Sequence, residues 1–380
     1  MIRVCHRKIV ERVVWLIFVF TILNIAYSYL RSVSRTRRST NTVAGLSNDA
    51  LKFIARGDSS EGPQRTDSSL ERGKNDFEHV MKQQRTADFI KQGIETTNKN
   101  RLEACKGPDP NELGTVNVET DLSKIPDYET MFPMVKNGGW TPSNCTPTTS
   151  FAMLVPYRNR PDNLKKFIYH MHKFLLAQKN EYKIFLIEQA DMELFNRAKL
   201  LNIGYLESQK FTNTGCYIVH DLDKLPENTR HIYKCAGPTL AQHMMGKRRE
   251  QQNKKYSNGI LYSFYVGGVL SIPRQVFRKV NGFSNRYWGW GREDDDFSAR
   301  IRAKNLKVSF LNGQRIASYL ILSHIDDRTE NKMKWPFINE VKKVMDKDGL
   351  NDAKYKVISI KDERLFIRIS VDLMKNASAV

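Results

Sequence analysis

From Val13 to Leu30 the chain runs 18 residues without a charge, VVWLIFVFTILNIAYSYL, and this run most constrains what the rest can be. It is just long enough to cross a hydrocarbon core as a helix. Arg3, Arg7, Lys8 and Arg12 precede it and Arg31, Arg35, Arg37 and Arg38 follow it, so the positive-inside rule alone does not orient it. A signal peptide shares the basic start and apolar core. Bulky Tyr27, Tyr29 and Leu30, however, stand where a small-x-small cleavage site would fall, which favours an uncleaved signal-anchor. The expected organisation is a cytoplasmic tail over 1–12, a transmembrane anchor over 13–30, and a lumenal remainder.

The cysteines agree with that orientation. Cys5 sits in the tail, and Cys105, Cys145, Cys216 and Cys235 form an even set beyond the anchor. An oxidising compartment allows two disulfides, in any of three pairings. No close Cys-x-x-Cys pair suggests a metal site instead. Asn144-Cys145-Thr146 and Asn376-Ala377-Ser378 are glycosylation sequons compatible with a lumenal domain. The net charge of +20 raises nucleic acid as a partner. No zinc spacing, ribonucleoprotein motif or basic heptad helix accompanies it, so we read a solvated basic surface that can attract an anionic nucleotide sugar, and no nucleic-acid partner.

Residues 31–100 are polar, and Gly57–Asp76 (GDSSEGPQRTDSSLERGKND) has the composition of a poorly packed linker. We read a stem, with short helices possible around Phe77–Ile94, leading to a working domain over 101–380. There Phe151–Val155 predicts a buried strand. A helix with Leu164, Phe167, Ile168, Met171, Phe174 and Leu175 on one face follows, then a strand over Tyr182–Ile187, a helix over Phe195–Leu206 and a strand over Cys216–Val219. Such alternation predicts an α/β domain with a largely parallel sheet, whose ligands collect beyond the C-terminal strand ends.

Chemistry concentrates at those ends. Asp221-Leu222-Asp223 follows the third strand, and two carboxylates two apart on an extended segment face the same side. That pair suits a divalent cation and a ribose, although a turn or helix cap uses the same residues. Tyr287–Asp296 reads YWGWGREDDD. Its glycines give a loop freedom to move and its tryptophans offer flat faces on which sugars stack. Glu293, Asp294, Asp295 and Asp296 then open a predicted helix. Capping accounts for one or two acids there; crowded like charges raise at least one pKa and make a general base. His324-Ile325-Asp326-Asp327 follows another predicted strand, and His324 gains interest as a partner for Asp223. Gly267-Gly268 beside Tyr265 marks either a close backbone approach or a tight bend.

These residues carry a resemblance. Pro156-Tyr157-Arg158-Asn159-Arg160, Phe195-Asn196-Arg197-Ala198, Asp221-Leu222-Asp223, Tyr265-Val266-Gly267-Gly268 and Trp288–Asp296 occur in the order found in animal β-1,4-galactosyltransferases, and the similarity extends over about Cys105–Leu373. The resemblance implies a GT-A type fold with a mostly parallel sheet, and a Golgi enzyme that moves galactose from UDP-galactose to a glycoprotein or glycolipid glycan with Mn2+. It implies that Pro156, Tyr157, Arg158, Arg160, Phe195, Arg197, Asp221, Leu222 and Lys255 hold the nucleotide, and that Tyr265 favours galactose over N-acetylgalactosamine. Trp290 would close over the donor. Asp294 would be the base, with Glu293 and Asp295 placing the acceptor. The cysteines would pair as Cys105–Cys145 and Cys216–Cys235.

Departures from the family bear on the metal and the acceptor. Asp223 and His324 match metal positions, but Ile321 stands where vertebrate members have a ligating Met, and Asp326 stands where the xylose-directed branch has a second histidine. The implied metal set is therefore Asp223, His324 and Asp326. Arg292 and Tyr265-Val266-Gly267-Gly268 are similar to the xylose-directed branch, whereas the cysteines are similar to the GlcNAc-directed branch. The expected activity is transfer to the 4-hydroxyl of terminal GlcNAc. Its rivals are transfer to xylose of proteoglycan linkers, UDP-GalNAc as donor, and a sugar-binding protein without catalysis.

Overall fold

The computed structural model describes residues 102–323 and 329–375. The predicted tail, anchor and stem, together with His324, Asp326 and Asn376, lie outside the described residues. Among those described, no helix is long and apolar enough to cross a membrane.

The sequence alternates as expected: β1 (Gly139–Trp140), β2 (Ser150–Tyr157), α1 (Pro161–Ala177), β3 (Glu181–Gln189), α2 (Arg197–Ser208) and β4 (Cys216–His220). β2, β3 and β4 are near-continuous apolar runs because both their faces are covered. Phe151, Met153 and Val155 of β2, with Ile184 and Leu186 of β3, pack against Phe167, Met171 and Phe174 of α1. Ala152, Leu154, Phe185 and Ile187 point the other way, into a second core with Leu200, Leu201 and Ile203 of α2. A helix-sheet-helix sandwich results. Pro156 and Tyr157 extend β2 beyond the predicted Phe151–Val155, and the turn begins at Arg158.

After β4 come β5 (Lys224–Pro226), β6 (Leu240–His243), β7 (Lys247–Glu250), β8 (Ser257–Asn258), β9 (Val269–Pro273), α3 (Arg274–Lys279), α4 (Glu293–Ala303), β10 (Lys307–Phe310), β11 (Ser318–Ile321), α5 (Lys334–Val344), β12 (Lys356–Asp362) and β13 (Ile367–Asp372). The main sheet runs β10-β6-β9-β4-β2-β3-β13-β12, with β1 also on β3. It is mixed, not mostly parallel. β2 pairs in parallel with β3 and β4, and β13 with β3, but β9 runs antiparallel to both β4 and β6. The reason lies in the site: antiparallel pairing sets the start of β9 beside the end of β4, His220 against Val269. A four-stranded sheet, β5-β11-β7-β8, covers one side.

Both expected disulfides are formed, Cys105–Cys145 and Cys216–Cys235. The base of α4 is a buried ionic knot. Arg300, fully buried, binds Asp296 Oδ1 at 2.5 Å, Asp348 Oδ2 at 2.9 Å and the Asp348 carbonyl at 2.6 Å, while the Tyr287 hydroxyl donates to Asp296 Oδ2 at 3.1 Å. Removing the guanidinium takes the cation from buried Asp296 and leaves Asp348 to Arg286 Nε, 3.3 Å away. We expect Arg300→Leu to lower unfolding stability by about 3–5 kcal/mol in urea denaturation; a loss under about 1 kcal/mol, the size of an exposed ion pair, would show the knot to be dispensable.

Candidate active site

The C-terminal ends of β2, β3 and β4 and the start of β9 open onto one cleft. Arg158, in the turn after β2, donates through Nη1 to the Glu193 carbonyl at 2.6 Å and lies 5.3 Å from the centre of the Phe195 ring, which belongs to the loop after β3. Tyr157 accepts from the Arg160 amide at 3.2 Å. The turn and the loop thus form one wall, with Pro156 buried behind it.

Arg197, the first residue of α2, is the centre of the cleft. Its Nε donates to Asp221 Oδ1 at 2.7 Å and its Nη1 lies 3.6 Å from Glu293 Oε1. Burial disfavours its charge, but Asp221 and Glu293 outweigh that and hold the guanidinium above its ordinary pKa. Asp221-Leu222-Asp223 is a turn and not the extended segment expected: the Asp221 carbonyl accepts from the Lys224 amide at 3.3 Å. The carboxylates consequently have separate partners, Asp221 to Arg197 and Asp223 Oδ2 to Lys224 Nζ at 2.7 Å. Leu222 is buried.

The acids at the start of α4 divide by partner. Glu293 faces Arg197. Asp295 accepts from Arg292 Nη1 at 2.8 Å and from the Tyr262 hydroxyl at 3.0 Å. Asp296 belongs to the ionic knot. Asp294 Oδ1 accepts from the Asp295 amide at 2.9 Å, and its Oδ2 faces Gly267. A Cβ at Gly267 would meet Asp294 Oδ2 at 2.5 Å and the Tyr265 hydroxyl at 2.6 Å. Gly268, at φ +82°, also makes a bend that side chains resist, so close approach and bend are both present. Desolvation and the Glu293 and Asp295 charges push Asp294 up to about 8, against the pull of Arg197. A carboxyl in that range is tuned to take a proton near neutral pH.

Trp290 is 53% exposed on a loop where Gly289, Gly291 and Arg292 all have positive φ. The loop is tied to the Phe195 wall by the Gly289 amide, which donates to the Phe195 carbonyl at 2.9 Å. Arg292 stacks over Trp335 at 3.8 Å. Sequence reasoning did not assign Tyr262, Arg292 and Trp335 to a common cluster around Asp295. The spacing of Tyr262 and Tyr265 was a usable signal; Trp335 lies 43 residues past Arg292 in the chain, and the family resemblance pointed to its region only loosely, as part of the acceptor side. Lys255 is exposed, its amide donating to Asn253 Oδ1 at 2.8 Å, and does not join the contacts above. Asn144 is exposed.

Asp223 is a candidate cation ligand. It is 8% exposed, lies beyond the end of β4, and already has a cation, the Lys224 ammonium, against it. Its carbonyl accepts from the Leu322 amide at 2.8 Å, so the chain leaving β11 toward His324 starts beside it. Ile321 is buried in β11, paired with Lys224 and Glu250. A carboxylate oxygen joined by imidazole is a donor set that fits manganese or magnesium.

A GT-A-like sheet with this acid-lined cleft defines a nucleotide-sugar glycosyltransferase. Residues 105–236 match the family described as the N-terminal region of glycosyl transferase group 7, and residues 248–325 that described as the N-terminal domain of galactosyltransferase. The chain is 36% identical to β-1,4-galactosyltransferase 4 of Homo sapiens over 281 residues, 73% of this chain and 79% of that protein. It is 33% identical to β-1,4-galactosyltransferase 1 of Bos taurus over 286 residues, 74% and 69% of the two. The catalytic domain of Drosophila β-1,4-galactosyltransferase 7 in complex with xylobiose superposes with a TM-score of 0.51 at 30% identity, over 60% of this chain and 96% of that one. A mutant of that enzyme, in complex with manganese, UDP-Gal and xylobiose, gives a TM-score of 0.50, also at 30% identity, over 60% of this chain and 96% of that one. The chain belongs to the β-1,4-galactosyltransferase family and is an enzyme, a glycosyltransferase.

The raised Asp294 value has a measurable consequence for folding. Between the ordinary carboxylate range and its folded value, Asp294 holds a proton in the folded chain but not in the unfolded one, so stability falls as pH rises through that interval. We expect Asp294→Asn, without nucleotide sugar, to melt a few degrees above wild type at about pH 8, the gain narrowing toward about pH 4. A variant that melts below wild type at the higher pH would contradict the assignment.

Proposed function

We propose that the chain transfers galactose from UDP-galactose to the 4-hydroxyl of a terminal β-GlcNAc on glycoproteins or glycolipids, with inversion, as a single-span type II protein of the Golgi membrane anchored by residues 13–30. The observation that carries the reading is the Arg197 bridge, which joins Asp221 on the donor side to Glu293 at the start of the acceptor side. The names and contents of the relatives support the donor. The formed disulfides fit an oxidising lumen.

In this reading Tyr157, Arg158, Arg160 and Phe195 hold the nucleotide. Asp294 takes the proton of the acceptor hydroxyl as its oxygen attacks the anomeric carbon from the face opposite UDP, giving a β-linked product from an α-linked donor. Glu293 and Asp295 place the acceptor. Trp290 shields the reacting centre from water, which would otherwise hydrolyse the donor. A manganese ion held by Asp223, His324 and Asp326 would neutralise the departing diphosphate.

Transfer to xylose is the second reading. It is favoured by Arg292, which occupies the acceptor side against Trp335 and Asp295, and by the xylobiose complexes of the Drosophila enzyme. Offering β-GlcNAc and β-xylose side by side, with UDP-galactose and manganese, separates the two: we expect product on GlcNAc. Product on xylose alone would make this a linker enzyme, and product on neither, with UDP still bound, would overturn both readings. Asp294→Asn should lower kcat by about 10²–10⁴-fold while leaving UDP binding intact, and unchanged turnover would refute the base.

Tyr265 sets the donor in the same scheme, because its ring fills the space beside Asp294 and Gly267. We expect Tyr265→Leu to raise the use of UDP-GalNAc relative to UDP-galactose, measured as the ratio of kcat/KM values. An unchanged ratio would remove Tyr265 from donor selection.

A further inference from the structure

From the edge of the main sheet to the acids, four aromatic rings touch in succession, and the mechanism leaves the first two unused. The Phe310 and His243 ring centres are 6.0 Å apart, those of His243 and Tyr265 5.5 Å, edge to face, and those of Tyr265 and Tyr262 5.3 Å, again edge to face. Tyr262 then reaches Asp295 through its hydroxyl. His243 ends β6 and is fully buried. Its strand lies between β10 and β9, and its backbone pairs in register with Phe310 on one side and Leu270 on the other.

The His243 side chain is equally fixed. A carbonyl only accepts, so His243 Nε2–H donates to the Gly267 carbonyl, 3.0 Å away. Burial holds the imidazole at about 4, well below its ordinary value, and the ring is neutral. Its Nδ1 is buried with no hydrogen-bond partner among the described residues. An unpaired buried nitrogen is unfavourable; the ring face and the single N–H are what the side chain contributes.

Tyr265 is held differently. The backbone after it is pinned, since the Gly268 carbonyl accepts from the Asp221 amide and the Val269 carbonyl from the Met244 amide, both at 3.0 Å. Where its ring stands is left to packing, and its aromatic neighbours among the described residues are Tyr262 and His243. Tyr262 is 45% exposed and has room to yield, whereas His243 has none. A side chain at Gly267 would strike both the Tyr265 hydroxyl and Asp294 Oδ2, so the position of this ring decides how much space remains beside the base. A ring backed by a close-packed strand cannot recede without opening a void.

We propose that His243 is a positioning residue for donor choice: its ring backs Tyr265 and keeps that ring in the space an acetamido group would need. The inference rests on the reading under Proposed function that Tyr265 selects galactose. His243 acts through Tyr265 and not on the sugar.

The test compares UDP-GalNAc with UDP-galactose on the full-length chain in detergent with manganese. UDP release is followed without acceptor, so that acceptor choice does not enter. The readout is the ratio of kcat/KM values, UDP-GalNAc over UDP-galactose, with thermal unfolding measured alongside. We expect His243→Ala to raise the ratio about tenfold, the low end of what a steric difference in a pocket is worth, and His243→Val to raise it less. His243→Phe, which keeps a ring and drops the Gly267 bond, should keep the wild-type ratio. Adding His243→Ala to Tyr265→Leu should move the ratio no further than Tyr265→Leu alone. Ala and Val variants that melt lower yet keep the wild-type ratio, a Phe variant that raises it, or Ala and Leu effects that multiply would overturn the inference. If His243→Ala fails to fold, His243→Val, whose side chain suits a strand, carries the same comparison. An unchanged ratio in Tyr265→Leu itself would instead sink the donor reading beneath it.

Discussion

The ion pairs of Arg197 govern what this cleft can hold. Asp221, Glu293, Asp294 and Asp295 converge there, and carboxylates drawn together out of water oppose one another and resist desolvation. Arg197 offsets part of that cost at two of them, with Nε on Asp221 and Nη1 near Glu293. Its place in the first turn of α2 is unfavourable for a cation, since a helix N-terminus is the positive end of the dipole. The carboxylates explain why a guanidinium stands there. Asp294, which Arg197 reaches only through space, keeps a raised pKa. Burial raises both Glu293 and Asp294, neighbours in the first turn of the helix, and the one cation pulls against that rise in each.

That arrangement depends on strand direction. Parallel β2, β3 and β4 deliver Arg158, Phe195 and Asp221 from their C-terminal ends, as open α/β sheets do. Tyr265 and Gly267 arrive from the opposite direction, before β9, and reach the same place because β9 is antiparallel to β4. The Asp221 amide donates to the Gly268 carbonyl at 3.0 Å, which locks the two segments together. β11, antiparallel to β5, likewise ends beside Asp223. A purely parallel sheet would have left these segments at the far end of the domain.

The inner strands and helices were legible because burial on both faces writes apolar runs into the sequence: Phe151–Val155, Tyr182–Ile187 and Cys216–Val219 all lie within observed strands. The loops that hold Asp221 and Trp290, and the acidic helix start that holds Asp294, were legible from their unusual composition. Strand direction was not, since β9 reads VLSIP, equally apolar in either orientation. Nor was the Asp221–Asp223 geometry, because alternation gives the side of a strand and this segment is a turn. Gly267 was ambiguous for a related reason. The groups that exclude its side chain, Asp294 Oδ2 and the Tyr265 hydroxyl, include one 27 residues further along the chain.

The tryptophan loop joins these parts mechanically. Its start is held where Lys199 and Lys375 lie over the Trp288 ring at 5.6 and 5.4 Å, and its end is the first turn of α4, which carries the acids. Between them Gly289, Gly291 and Arg292 take up positive φ, conformations that cost a non-glycine residue most. Arg292 meets that cost with its stack on Trp335 and its bond to Asp295. The Trp290 amide donates to the Thr329 carbonyl at 2.7 Å, and the Asn331 amide donates to the Trp290 carbonyl at 3.0 Å. Trp290 therefore cannot shift without drawing on the backbone at Thr329 and Asn331, so the loop and that segment move as one.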